Sequence, residues 1–348
     1  MRLSLGGLRW RLSCDEVVSD AVARVFGFGH AAGPDGEAAD IEVTMRVGSA
    51  EEVAHWTAFR AQHDMDMDAG ILRFTLSDGR AGRLSSVSLE MEGGGSEVEW
   101  VWLADPRDIV TRGGSLLLNV FMRRWRSDWF PVHGAVIGRD GAFVLVPGAS
   151  GAGKSTLTAS ALAAGSESTH ESAVESTHES TRESAHKPVP WQIIGDDFVW
   201  VRRAGDGTWQ AEGPYAGLRL TPAAREMVAK CWPGWTPTGF WTPRGDGKWV
   251  GFPEQGIARA GRLVGVLGIA PSAAPGEVQA VEAPSELMAA FRTSMLLLNA
   301  SGAQAGGYLS ACRRLLEELP KGMLPRSPQL DMNLIPIDRW LSSTSPSS

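Results

Sequence analysis

The chain has 348 residues, 43% hydrophobic and 21% charged, which predicts two domains or one large one and excludes global disorder, a collagen-like chain and a disulfide scaffold. Lys and Arg number 33 against 40 Asp and Glu, a net charge of −7, so no nucleic-acid partner is expected. Cys14, Cys231 and Cys312 are few and far apart, which fits a reducing compartment.

No apolar stretch approaches the roughly 18 residues of a membrane span. Arg9 and Arg11 come too early for a secretory signal. A cytoplasmic protein with no membrane partner is expected. Residues 1–104 read as strands and turns, a β-rich accessory α+β module. Leu3–Leu12, Ile41–Val47, Ile71–Leu76, Leu84–Met91 and Val98–Leu103 are its strands, with turns at Asp78-Gly79 and Gly93-Gly94-Gly95. His55 and His63, eight apart, read as helix surface. A helix is predicted from Asp105-Pro106, an N-cap followed by a first-turn proline, ending in Arg123, Arg124 and Arg126.

His133–Gly138 and Ala142–Val146 flank Arg139-Asp140-Gly141, the signature of a β-hairpin. The second strand leads into Gly148-Ala149-Ser150-Gly151-Ala152-Gly153-Lys154-Ser155, which satisfies G-x-x-x-x-G-K-[ST]. Its glycines let backbone N–H groups curl around phosphate oxygens, and the helix predicted over Thr156–Ala164 points its positive end at them. Lys154 supplies a point charge to the β- and γ-phosphates, and the Ser155 hydroxyl can ligate Mg²⁺. Gly148 through Ser155, with Thr156, are therefore the candidate nucleotide-binding residues, and ATP with Mg²⁺ is the expected cofactor pair. The antiparallel hairpin before the loop disfavours small GTPases and ABC ATPases. Neither an Asn-Lys-x-Asp nor a Leu-Ser-Gly-Gly-Gln motif is present.

Residues 166–187, SESTHESAVESTHESTRESAHK, repeat an eight-residue unit with Glu every four residues and almost nothing to bury. Disorder or a loose surface helix is expected. Histidines eight apart drift around a helix, so a metal array is disfavoured. Lys154 and Asp196 are 42 residues apart, and without the 22-residue repeat 20 remain, room for one helix and a return strand. The repeat thus reads as an insertion after the loop helix. Ile193-Ile194-Gly195-Asp196-Asp197 is an apolar strand ending in two carboxylates, where a nucleotide's Mg²⁺ would sit. The two side chains are expected on opposite faces of the strand. Leu287–Asn299 and Gly307–Leu319 read as buried helices.

His133-Gly134-Ala135, the hairpin, the loop and the pair Asp196-Asp197 resemble the kinase core of bacterial HPr kinase/phosphorylase and its relatives, which share a fold with phosphoenolpyruvate carboxykinase. The resemblance covers roughly Trp129 to Leu220, and more loosely the rest to about Leu341. Tyr215-Ala216-Gly217-Leu218-Arg219-Leu220 and Lys248-Trp249 match segments of the same family. The glycine-rich signature that follows the aspartates in phosphorolytic members is not recognisable.

The resemblance implies an α/β P-loop kinase core with a mixed sheet over residues 105–342, behind the β-rich module and before a 343–348 tail. It implies Asp196 as base toward an acceptor hydroxyl, His133 near the phosphates, and Arg219 and Lys248 as cationic contacts. Asp197 and Glu212 would join Ser155 at the metal. The implied activity is transfer of the γ-phosphoryl group of ATP to a Ser or Thr hydroxyl of a peptide or small protein. Divergent relatives beside lasso-peptide clusters make a ribosomal peptide precursor a candidate. The rival readings are a small-metabolite kinase and a non-catalytic ATP-binding regulator. Homo-oligomerisation stays open.

Overall fold

The structure, a computed structural model, describes residues 1–26, 39–62, 72–75, 81–84, 88–92, 98–104, 109, 128–149, 151–174, 189–213, 217–231, 239–243, 249–253, 255–271, 276–285, 287–291, 302–327 and 331–344. Outside them lie the turns at Asp78-Gly79 and Gly93-Gly94-Gly95, the predicted helix start at Asp105-Pro106, His63, Ser150, Tyr215, Lys248 and the repeat from residue 175. The chain divides into two compact units, Met1–Arg124 and Trp125–Ser348.

The first unit holds β1 (Arg2–Leu5), β2 (Leu8–Cys14), α1 (Glu16–Phe26), β3 (Ile41–Val47), α2 (Ala50–Gln62), β4 (Leu72–Thr75), β5 (Ala81–Leu84), β6 (Ser88–Glu92) and β7 (Val98–Leu103). Its seven strands form one sheet in the order β1-β2-β3-β7-β6-β5-β4, parallel where β2, β3 and β7 meet and antiparallel elsewhere. The single strand expected over Leu3–Leu12 is two, joined by a tight turn at Gly6-Gly7. Likewise the run Leu84–Met91 divides between β5 and β6, which pair with each other. Trp10, Leu12, Ile41, Val43 and Met45 alternate into the core, where α1 buries Val18, Val22, Val25 and Phe26. A capping box starts α2: Ser49 N–H donates to Glu52 Oε2 at 2.7 Å, and Glu52 N–H donates to Ser49 Oγ at 3.2 Å. His55 lies exposed on α2, as expected.

The second unit is mixed α/β. In chain order it contains β8 (Phe130–Arg139), β9 (Ala142–Pro147), α3 (Lys154–Val174), β10 (Gln192–Gly195), β11 (Phe198–Arg203), β12 (Trp209–Glu212), β13 (Leu218–Leu220), α4 (Pro222–Cys231), β14 (Gly239–Pro243), β15 (Trp249–Pro253), β16 (Ala260–Pro271), β17 (Gln279–Ala280), α5 (Gly302–Glu318), β18 (Lys321–Arg326) and α6 (Asp331–Thr344). The hairpin β8–β9 turns through Asp140 and Gly141, both at positive φ, with Arg139 opposite Ala142. β9 then pairs parallel with β16, β16 antiparallel with β12, β12 with β11, and β11 with β8. These pairings close a ring, and β8 and β9 are buried except at the turn that joins them: nine of the ten β8 residues and five of the six in β9 are buried. β18 extends β16 in parallel, and β13, β15 and β14 make a separate small sheet.

α3 is the central helix of this unit. Leu157 through Ala163 are all buried, in one core cluster with Ile137, Val144, Val146, Leu218, Leu220, Val264 and Leu341. A helix buried on every side must satisfy its hydroxyls internally. Thr158 Oγ1 donates to Lys154 O at 2.9 Å and Ser160 Oγ to Thr156 O at 2.8 Å. The helix continues into the repeat as far as Val174, which favours the helical side of the expectation for its first nine residues. α5 buries Tyr308, Cys312, Leu315 and Leu316. Among the described residues, no helix is long and apolar enough to cross a membrane.

Candidate functional site

The glycine loop runs from the end of β9 to the start of α3. Gly151 and Gly153 take φ of +84° and +101°, a region that side chains rarely adopt, and this reversal lets the chain enter the helix at Lys154. Lys154 is buried and its Nζ donates to Gly148 O at 2.7 Å and to Ala149 O at 2.9 Å. The cation is thus held over its own loop at the N-terminus of α3. The loop closes against β8, where Gly148 N–H donates to His133 O at 3.4 Å.

β10 and β11 run in line along one edge of β8. Ile193 lies opposite Ile137 and Phe198 opposite His133. Between Ile193 and Gly195 the register shifts by a bulge, a device common beside functional sites because it re-aims side chains. The strand ends at Gly195, so Asp196 and Asp197 occupy the bend rather than the strand itself. What separates them is therefore not strand alternation, as expected from sequence. Asp197 has φ +85° and its carbonyl accepts from Gly134 N–H at 3.0 Å, which turns the two side chains into different surroundings.

Asp196 is fully buried. Its Oδ2 accepts the backbone N–H of Arg219 at 3.1 Å, and its Oδ1 is buried with no hydrogen-bond partner. Burial pushes its carboxyl up to about 6; the Arg219 N–H opposes this, the charge of Asp197 adds to it, and Ser155 and Lys154 oppose it. Asp197 goes the other way. Against the effect of burial, the Arg219 guanidinium and then His133 hold its carboxyl well below the usual range. Arg219 Nη1 binds Asp197 Oδ2, and His133 Nε2 lies 3.4 Å from Asp197 Oδ1. The His133 ring is buried, 5.2 Å from that of Phe198.

The geometry therefore brings together Lys154, Ser155, Asp196, Asp197, His133 and Arg219, drawn from α3, the β10–β11 bend, β8 and β13. Ser155 is the hydroxyl acting on Asp196, Asp197 faces Arg219 and His133, and Glu212 Oε1 lies 3.6 Å from Arg259 Nη2. Among the described residues no group of three or more His, Cys, Asp or Glu side chains is placed to hold a metal ion. The unpartnered Asp196 Oδ1 beside a hydroxyl nevertheless fits a hard cation, which takes oxygen ligands and completes its shell with water and phosphate. Lys248 and Ser150 lie outside the described residues.

Sequence reasoning missed Arg259, Phe198 and the backbone N–H of Arg219. Arg259 and Phe198 belong to no motif, and a backbone donor has no residue-type signature. An Asp at positive φ is tolerated because its short side chain bonds locally, but nothing in Asp196-Asp197 says which of the two takes it.

No family model matches the sequence, and no curated protein matches it. Among solved structures, the chain is similar to the Hpr(Ser) kinase/phosphatase from Coxiella burnetii at 11% identity, over 62% of this chain and 99% of that one, with a TM-score of 0.29. A likeness that loose carries no weight for this chain's chemistry, which rests on its own residues.

Proposed function

We propose that this protein is an ATP-dependent kinase that transfers the γ-phosphoryl group to a Ser or Thr hydroxyl of a peptide or small protein. The observation that carries the reading is the meeting of Lys154 and Ser155 with two adjacent carboxylates in opposite electrostatic states. Ser155 and Asp196 are the residues that would hold Mg²⁺, an ion that neutralises charge on the transferring group when bound. Lys154, released from the Gly148 and Ala149 carbonyls, places its charge on the phosphates. Asp197 stays ionised between Arg219 and His133 and orients the acceptor hydroxyl, whose proton passes to the phosphoryl oxygens late in transfer. This exchanges the roles that the family resemblance implies for the two aspartates. Burial of Asp196 and His133 excludes bulk water from the transfer path.

The test is incubation with γ-labelled ATP, Mg²⁺ and a pool of serine- and threonine-containing peptides. Acid-stable label on a peptide, absent with Lys154→Ala, is the expected result. ATP hydrolysis with no labelled hydroxyl acceptor would overturn the assignment.

A further inference from the structure

The segment between β15 and β16 is fastened to β10, the strand that leads into the aspartates. Ile193 N–H donates to Gly256 O at 2.8 Å, and Ile193 O accepts from Ala258 N–H at 2.8 Å. Gly256 sits against the loop helix, since a Cβ there would come within 2.6 Å of Leu162 Cδ2. Gly213 N–H donates to Arg259 O at 3.0 Å. A Cβ on Gly213 would stand 1.9 Å from Ile194 O, so its backbone lies flat on the bulge that precedes Asp196.

An ion pair spans the same junction. Glu212 is 6% exposed, opposite Trp200 on one side and Ala260 on the other, and its Oε1 is 3.6 Å from Arg259 Nη2. Glu212 and Arg259 are each adjacent to a residue or carbonyl that holds Gly213 onto Ile194. Breaking the pair takes a counter-charge from a buried carboxylate whose chain neighbour, Gly213, lies on the bulge. We propose that Glu212 and Arg259 form a clip that fixes the bulge ahead of Asp196, so that Glu212 is a positioning residue for Asp196 and not a metal ligand. The inference rests on the kinase reading only where it assigns Asp196 to the cation.

Two measurements on the whole chain test it. The first is hydrogen exchange of the amides of residues 193–198 without nucleotide. Glu212→Gln and Arg259→Met should each speed it about tenfold, the double variant no further, and Arg259→Lys should restore most of the protection. The second is binding of a fluorescent ATP analogue against Mg²⁺ concentration. Both single variants should raise the Mg²⁺ half-saturation by a common factor of about 10. Arg259 is half-exposed, so Arg259→Met carries both measurements should Glu212→Gln fail to fold. Unchanged exchange in both variants would overturn the clip. So would a raised Mg²⁺ requirement in Glu212→Gln alone, which would make Glu212 a ligand. Absence of Mg²⁺-dependent nucleotide binding in the wild type would overturn the kinase reading instead, and the exchange comparison would still decide the clip.

Discussion

The backbone N–H of Arg219 donates to Asp196 Oδ2 at 3.1 Å, while the guanidinium of the same residue binds Asp197. One residue of β13 thereby meets two neighbouring carboxylates in different ways. Burial keeps Asp196 hard to ionise and the Arg219 N–H only partly offsets it, whereas against its own burial Asp197 receives a full positive charge and stays ionised. Adjacent carboxylates with separated titrations are suited to separate tasks.

Lys154→Ala should abolish phosphoryl transfer and leave the fold intact. Its Nζ donates to the Gly148 and Ala149 carbonyls, so its loss removes charge from the phosphates rather than apolar packing from the core. A fall in turnover of at least about 10²-fold with an unchanged thermal midpoint is expected. Turnover near wild type would refute the assignment of the loop.

Asp196→Asn should stabilise the nucleotide-free protein above about pH 6. The folded carboxyl titrates near 6 against an ordinary value of 3.8. The native state therefore holds a proton that the unfolded chain has released, and stability is lost as pH rises through that interval. Asparagine removes the loss. A gain on the order of 2–3 kcal/mol at pH 8, shrinking to near zero at pH 4, is expected from denaturant unfolding at the two pH values. A gain that does not depend on pH would show that ionisation is not its source.

Asp197→Asn should cut turnover by about 10²-fold or more with little change in ATP affinity, the cost of an acceptor hydroxyl no longer held in place. Asp196→Asn should instead raise the Mg²⁺ requirement as well as slow the reaction. Turnover and nucleotide affinity against Mg²⁺ concentration separate the two. Identical profiles would refute the division, and a raised Mg²⁺ requirement in Asp197→Asn alone would restore the roles that the family resemblance implies.

Deleting Ser166–Lys187 should change stability by little. Ala163 lies in the core cluster with Ala164 packed against it, and Gly165 closes against Trp191 O, where a Cβ would come within 2.7 Å. The deleted composition has almost nothing to bury. A thermal midpoint within about 2 °C of wild type is expected. A larger loss, or a change in turnover, would show that the repeat packs on the core or acts on the site.

Local chemistry was written in the sequence by itself. Asp140-Gly141 between two apolar runs can only reverse tightly, and the β8–β9 hairpin follows. The glycine loop and Lys154 are a motif because their work is done by neighbours in the chain. Ser49-Ala50-Glu51-Glu52 carries the capping box of α2, a pattern closed within four residues. Tertiary structure decided whatever depended on distant partners. The φ of Asp197 is held by Gly134, 63 residues earlier, its charge by Arg219, more than 20 residues later, and the raised pKa of Asp196 by burial. The pairing of Glu212 with Arg259 arises because β12 and β16 lie side by side. Burial and electrostatic fields are properties of position in space, so residue order names the carboxylates, and only the fold makes Asp196 hard to ionise and Asp197 easy.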